Sequence, residues 1–235
     1  MRGARQGGLA ISHQPSAIGP RDWGVYLVTD RKQTGGRDLL TVLSQALQAG
    51  IRAVQLREKD LDTIAVFRLG EQLLSMTRQA GAALIVNDRV DVAMALGADG
   101  VHLTRRSLPP GEARALVGTG MLLGVSCHGL ADVREAVEGG ADFVVLGPIF
   151  ETPSKAAYGA PLTPAVLKHA REVCALPILA IGGIRASGVP DVIRASADGV
   201  AVISAILAAR DPAAATRELL DAVARAKGVP WQLGN

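Results

Sequence analysis

Eight short runs of β-branched and aliphatic residues recur along this chain, each followed by a stretch with helical spacing, and that alternation constrains the fold more than any other feature. The runs are Val25 to Val28, Ala53 to Leu56, Leu84 to Val86, Val101 to Leu103, Leu122 to Val125, Phe143 to Leu146, Ile178 to Ile181 and Val200 to Ile203. Between them, apolar residues spaced like Leu39, Leu40, Leu43, Ala46 and Leu47, or Val133, Ala136 and Val137, predict amphipathic helices. Strands joined by helical crossovers run parallel, and eight such units fit an α/β fold, a single (β/α)8 TIM barrel. A doubly wound open sheet is the alternative. It is disfavoured because V-T-D-R-K-Q-T-G-G, not G-x-G-x-x-G, follows the first run.

Three echoes mark an internal unit: G-A-D-G-V-H-L from Gly97, G-A-D-F-V-V-L-G from Gly140 and S-A-D-G-V-A-V-I-S from Ser196. Each closes a helix and starts a strand. Glycine tolerates the left-handed cap there and the aspartate can hydrogen-bond in the following turn, so Asp99, Asp142 and Asp198 are assigned to turns, not chemistry.

The length of 235 residues, 49% of them hydrophobic, suits one barrel domain, placed at 21–235 behind an extension, 1–20, expected to be disordered. That extension mixes Gly, Arg, Gln, Ser and Pro and resembles neither a secretory signal nor an anchor. No apolar run is long enough to cross a bilayer. Arg2, Arg5, Arg21, Arg31, Lys32 and Arg37 crowd the start of a chain whose net charge is +3, and no basic stripe interleaved with aromatics remains, so nucleic acid is not an expected partner. Cys127 and Cys174 are too few for a disulfide framework or metal cluster, and a cytoplasmic location fits them best. A homo-oligomer is compatible with all of this.

In a parallel barrel the residues just after each strand share one mouth. In V-Q-L-R-E-K-D, Val54 to Asp60, the residues Gln55, Arg57 and Lys59 alternate. In extended geometry they point to one side and suit a di-anion such as pyrophosphate; the other reading is a strand running into solvent. Asn87 and Asp88 follow the third run, where Asp88 either holds Mg²⁺ against ligand phosphates or caps the helix beginning at Val90. The fifth run brings Ser126 and His128, an imidazole able to move protons near neutral pH. Thr152, Ser154 and Lys155 follow the sixth. Gly182, Gly183 and Ser204, which opens a short S-A-I-L helix, make a phosphate site by position, with a tight turn as the plain alternative for the glycines. His102 lies inside V-H-L and is taken as a core or supporting residue.

Taken in order, V-Q-L-R-E-K-D, L-I-V-N-D-R, G-A-D-G-V-H-L, G-V-S-C-H, L-G-P-I-F-E-T-P-S-K, A-I-G-G-I and V-I-S-A-I resemble the thiamine phosphate synthase family, from Val25 to about Leu207. The resemblance implies an enzyme that joins hydroxymethylpyrimidine pyrophosphate to a thiazole phosphate or its carboxylate, both small phosphorylated substrates, and releases pyrophosphate. It implies pyrophosphate contacts at Gln55, Arg57, Lys59, Asn87, Ser126 and Lys155, a magnesium ligand at Asp88, and thiazole phosphate contacts at Thr152, Ser154, Gly183, Ile203 and Ser204. Arg57, Lys59, Lys155 and Mg²⁺ would stabilise the departing pyrophosphate, with Ser126 and His128 completing the catalytic set.

One departure stands out. After G-V-H-L the synthases usually carry a second magnesium carboxylate, whereas this chain reads T-R-R-S-L-P-P with Ser107 at that position and Arg105 and Arg106 beside it. A weakened Mg²⁺ site is the expectation. That change, with S-K-A-A-Y-G-A-P-L, also resembles the related thiazole tautomerase branch, in which the G-V-S-C-H histidine, here His128, is the proton carrier. A non-catalytic sensor of thiazole or thiamine phosphates is the third reading.

Overall fold

The computed structural model describes residues 19–152 and 160–229. Eight parallel strands close into a barrel in chain order, with β8 pairing back onto β1. They are β1 Val25–Val28, β2 Ala53–Leu56, β3 Ala83–Asn87, β4 Gly100–Leu103, β5 Leu122–Cys127, β6 Phe143–Leu146, β7 Ile178–Ile181 and β8 Gly199–Val202. Helices α1 Leu39–Gln48, α2 Thr63–Gln79, α3 Val90–Leu96, α4 Pro110–Val117, α5 Leu130–Glu138, α6 Ala165–Val173 and α7 Val189–Arg194 are the crossovers, and α8 Ser204–Leu207 and α9 Pro212–Lys227 follow the last strand. The expected (β/α)8 architecture is therefore present. The expected extension lies outside the described residues up to position 18.

Strand ends differ from the sequence expectation in β3, β4, β5 and β8, and two of these changes set where the loops begin. Asn87 belongs to β3 because it pairs in register with His102, and β8 stops at Val202 because Ile203, with φ −120° and ψ −86°, leaves extended geometry to start α8. Both changes lie at the rim where the strands hand over to loops.

Apolar side chains form two shells, as the period-2 alternation of a strand requires when helices cover the outside. The outer shell packs strands against helices through residues such as Leu27, Val54, Leu84, Val101 and Leu146. Inside, Trp23, Tyr26 and Phe143 pack ring against ring with centroids 5.1 to 5.7 Å apart and, with Ala83, Leu179 and Ala201, fill the barrel. Few aromatics suffice because three of them meet here.

The echoed aspartates reach further than the sequence suggests. Asp99 Oδ2 accepts the Leu84 N–H at 2.8 Å, Asp142 Oδ2 the Leu123 N–H at 2.7 Å and Asp198 Oδ2 the Ile178 N–H at 2.8 Å. Each thus ties the start of β4, β6 or β8 to the start of the preceding strand, a tertiary bond in place of the local turn bond expected. Arg114 and Arg171 neutralise Asp142 and Asp198. At the corresponding position before β2 stands Arg52, which donates instead to the Ala80 carbonyl.

Candidate active site

Register decides which side chains face the interior. Parallel partners share a face, and Asn87, His102, Gly124 and Phe143 are successive partners across β3 to β6, so all four point inward with the buried Phe143. Ser126, two residues past Gly124, shares that direction, as does Gln55 through its bond to Tyr26. Above the aromatic plug the barrel therefore carries a polar layer of Gln55, Asn87, His102 and Ser126, the floor of the mouth.

Gln55 is 3% exposed, and its Nε2 donates to the Tyr26 hydroxyl at 3.0 Å. Burial pushes the Tyr26 phenol upward, so it stays neutral. Extended pairing ends at Leu56, so Lys59 sits beyond the strand in a turn, exposed, and the alternation is not carried by strand geometry as far as that residue. Arg57 is half-buried, and its backbone N–H donates to Thr29 Oγ1 at 2.8 Å. Its guanidinium makes no hydrogen bond to a described residue. Burial lowers its pKa, with the Asp30 and Glu58 carboxylates opposing that loss. A half-buried guanidinium at the barrel rim keeps N–H donors that can serve an anion.

Asp88 does not cap α3. The N-cap is Arg89, without a side-chain cap bond, while Asp88 has φ 65°, its N–H donates to the His102 carbonyl at 2.8 Å, and its exposed carboxylate makes no hydrogen bond to a described residue. The left-handed conformation, tolerated by Asp better than by most residues, holds that carboxylate out of the helix. Asn87 Oδ1 is buried without a hydrogen-bond partner among the described residues. Ser107 is engaged in its own loop, accepting the Thr104 N–H at 2.8 Å and lying 3.2 Å from Thr104 Oγ1. Arg105 pairs with Asp132. Among the described residues no group of three or more His, Cys, Asp or Glu side chains could hold a metal. Among the described residues the donor set is the exposed carboxylate of Asp88, with the Arg89 charge beside it, which fits magnesium only when ligand phosphates and water supply the other positions.

His102 Nε2 on β4 lies 2.8 Å from Ser126 Oγ on β5, and His102 is 1% exposed, as expected of a residue within the strand. His128 Nδ1 lies 2.7 Å from the Gly147 carbonyl, which only accepts, so Nδ1 carries the proton. Its backbone N–H donates to Asp132 Oδ2 at 2.6 Å.

Gly182 and Gly183 have φ 99° and 66°. A Cβ on Gly182 would meet Pro148 Cα at 2.6 Å, and one on Gly183 would meet the Glu151 carbonyl at 2.5 Å. The loop after β6 thus needs both glycines in order to lie against β7, where Phe150 N–H donates to the Gly182 carbonyl. That contact is a reason for the pair that the sequence did not reveal. Thr152 ends the described part of this loop, and Ser154 and Lys155 lie outside the described residues. Ser204 is exposed at the start of α8 with the half-buried Ile203 before it. Tyr26, Arg31 and Glu58 entered from the structure; the one signal for Tyr26 was an aromatic inside the first apolar run.

The family model described as thiamine monophosphate synthase matches residues 25–206. This chain belongs to that family. A thiamine-phosphate synthase of Roseiflexus castenholzii is 46% identical over 201 residues, covering 86% of this chain and 88% of that protein. One of Chloroflexus aurantiacus is 46% identical over 198 residues, covering 84% and 91%. Among solved structures, a thiamine phosphate pyrophosphorylase from Pyrococcus furiosus superposes with a TM-score of 0.80 at 32% identity, covering 88% of this chain and 98% of that one.

Proposed function

We propose that this chain joins hydroxymethylpyrimidine pyrophosphate to a thiazole phosphate, giving thiamine phosphate and pyrophosphate. The observation that carries the reading is Arg57, a half-buried guanidinium at the mouth of a synthase-family barrel with no hydrogen-bond acceptor among the described residues. A departing pyrophosphate is the kind of group such a cation serves.

The chemistry asks mainly for positioning and charge. The C–O bond between the pyrimidine methylene and the pyrophosphate breaks, and its electron pair leaves with the pyrophosphate. The thiazole nitrogen then donates its lone pair to the methylene carbon, so a C–N bond forms and the ring becomes cationic. No proton moves in either step. Arg57, Lys59 and Lys155 stabilise the charge gathering on the leaving group, and Asn87 and Ser126 bond its oxygens. Gln55, one of whose two amide hydrogens bonds Tyr26, lies at the floor below them as a further pyrophosphate contact. Thr152, Ser154, Gly183, Ile203 and Ser204 hold the thiazole phosphate across the mouth. Asp88 is the residue that would hold magnesium, which when bound neutralises phosphate charge.

The isomerase reading rests on His128, and the names of the relatives give it no support. We propose a cytoplasmic location, supported by the two buried, free cysteines; separately, no helix among the described residues is long and apolar enough to cross a membrane. The direct test supplies both phosphorylated halves with Mg²⁺ and looks for thiamine phosphate by chromatography. Absence of product at every magnesium concentration would overturn the reading.

A further inference from the structure

We propose that His102 is a positioning residue whose Nε2–H donates to Ser126 Oγ, so that the serine's own proton is turned into the mouth and offered to a phosphate oxygen. The proposal rests on the synthase reading for the identity of that phosphate, but its geometric part stands alone.

The two ring nitrogens of His102 meet different surroundings. Nε2 has Ser126 Oγ at 2.8 Å. Nδ1 is buried without a hydrogen-bond partner among the described residues, and it lies close against Gly124: a Cβ built there would be 2.6 Å from Nδ1 and 2.3 Å from the Phe143 ring. The Gly124 contact closes that side of the ring to water, and the other buried unpartnered atom of this layer, Asn87 Oδ1, stands on the strand at the opposite side of β4. Burial, reinforced by the Arg57 charge, keeps the ring neutral, so it carries one N–H. With that proton on Nδ1, a buried donor would be left without an acceptor among the described residues, and orphaned buried donors are rarer in folded proteins than under-used acceptors. A lone pair at Nδ1 is tolerated better, and the proton belongs on Nε2.

The consequence falls on Ser126. Its oxygen accepts from His102, so its hydroxyl hydrogen must point elsewhere, and the half-buried serine sits on the mouth side of the polar layer. An ionised phosphate oxygen only accepts hydrogen bonds, so a serine whose proton was spent on His102 would present lone pairs to it. The tautomer makes the difference between attraction and repulsion.

Two measurements test this. In uniformly ¹⁵N-labelled wild-type protein at neutral pH, two-bond proton–nitrogen correlations should give the Nε2-protonated pattern for His102; the Nδ1-protonated pattern overturns the proposal, whatever the enzyme's activity. The second is a double-mutant cycle on affinity for inorganic pyrophosphate with magnesium, read by calorimetry on variants that retain the wild-type melt. Ser126→Ala and His102→Leu should each weaken binding by about tenfold, with no further loss in the double variant, as residues acting through one contact are non-additive. Independent, multiplying losses overturn it. If His102→Leu fails to fold, the tautomer measurement decides.

Discussion

Both carboxylate oxygens of Glu58 accept the Arg31 backbone N–H, each at 3.1 Å, and Arg31 Nη1 adds a third bond at 3.2 Å. This explains why an acid stands between two cations in a motif read as anion-binding. The Glu58 side chain, 2% exposed, is committed to the loop after β1 and neutralised there. Asp60, held well below the ordinary carboxylate range by Arg31 and then Lys32, closes the same junction. Glu58→Ala leaves the part-buried Arg31 N–H unbonded, and stability should fall by about 1–2 kcal/mol. Because the segment carrying Arg57 and Lys59 loses its anchor, KM for the pyrophosphate substrate should rise severalfold. Urea unfolding and steady-state kinetics check both, and an unchanged KM would show that the junction only stabilises.

The third sequence echo departs from the others in one atom group. Gly97 and Gly140 adopt φ 61° and 76°, and Ser196 takes the same left-handed conformation at φ 76° with a Cβ to accommodate. That conformation costs an L-residue about 1–2 kcal/mol, part of which glycine returns through greater freedom when unfolded. Ser196 is exposed. Ser196→Gly should therefore raise stability by about 0.5–1 kcal/mol, or roughly 2–3 °C in melting temperature for a chain of this size. A thermal melt that moves down instead would show that the hydroxyl contributes something the backbone argument omits.

The same contrast shows what was legible in the sequence. Strands β1, β2, β6 and β7 could be bounded from the letters alone because each is a short, mostly apolar run flanked by polar, glycine or proline residues, and Ser204–Leu207 could be read as a helix from S-A-I-L. The rim residues that follow the strands were legible for the same reason: a polar residue ending a buried strand has few other uses. What sequence order could not reveal were bonds between elements far apart in the chain. The Asp142 bond to Leu123, the Glu58 bond to Arg31 and the Gln55 bond to Tyr26 depend on neighbours in the barrel, not on neighbours in the chain. Asp88 shows the limit at one residue: a helix-capping aspartate and a free one look alike until φ 65° is known.

Ser107 sets the third prediction. Its hydroxyl closes the turn from Thr104 by accepting the Thr104 N–H, a bond that an aspartate side chain also makes. Ser107→Asp should keep the turn and add a second carboxylate to the one at Asp88, so the magnesium concentration for half-maximal synthase activity should fall by about tenfold. Asp88→Asn should raise it. A magnesium titration of the Ser107→Asp enzyme that overlays the wild-type curve would mean that the metal, if used, is held away from this loop.

His102 makes stability depend on pH in a direction that can be worked out. Burial and then the Arg57 charge depress its pKa from 6.5 to about 3, so below pH 6.5 the unfolded chain binds a proton that the folded chain refuses. Stability from this group is complete above 6.5 and declines as pH falls toward 3, by up to about 1.4 kcal/mol per unit once well below 6.5. Carboxylates titrate in the lower part of that window, so the comparison must be with a variant lacking the imidazole. Wild type should lose more stability than His102→Gln between pH 6.5 and 5, when both are unfolded by urea at each pH. Parallel curves for the two proteins would mean that the folded state accommodates the charged ring, and with it that the polar layer above the aromatic plug is open to water.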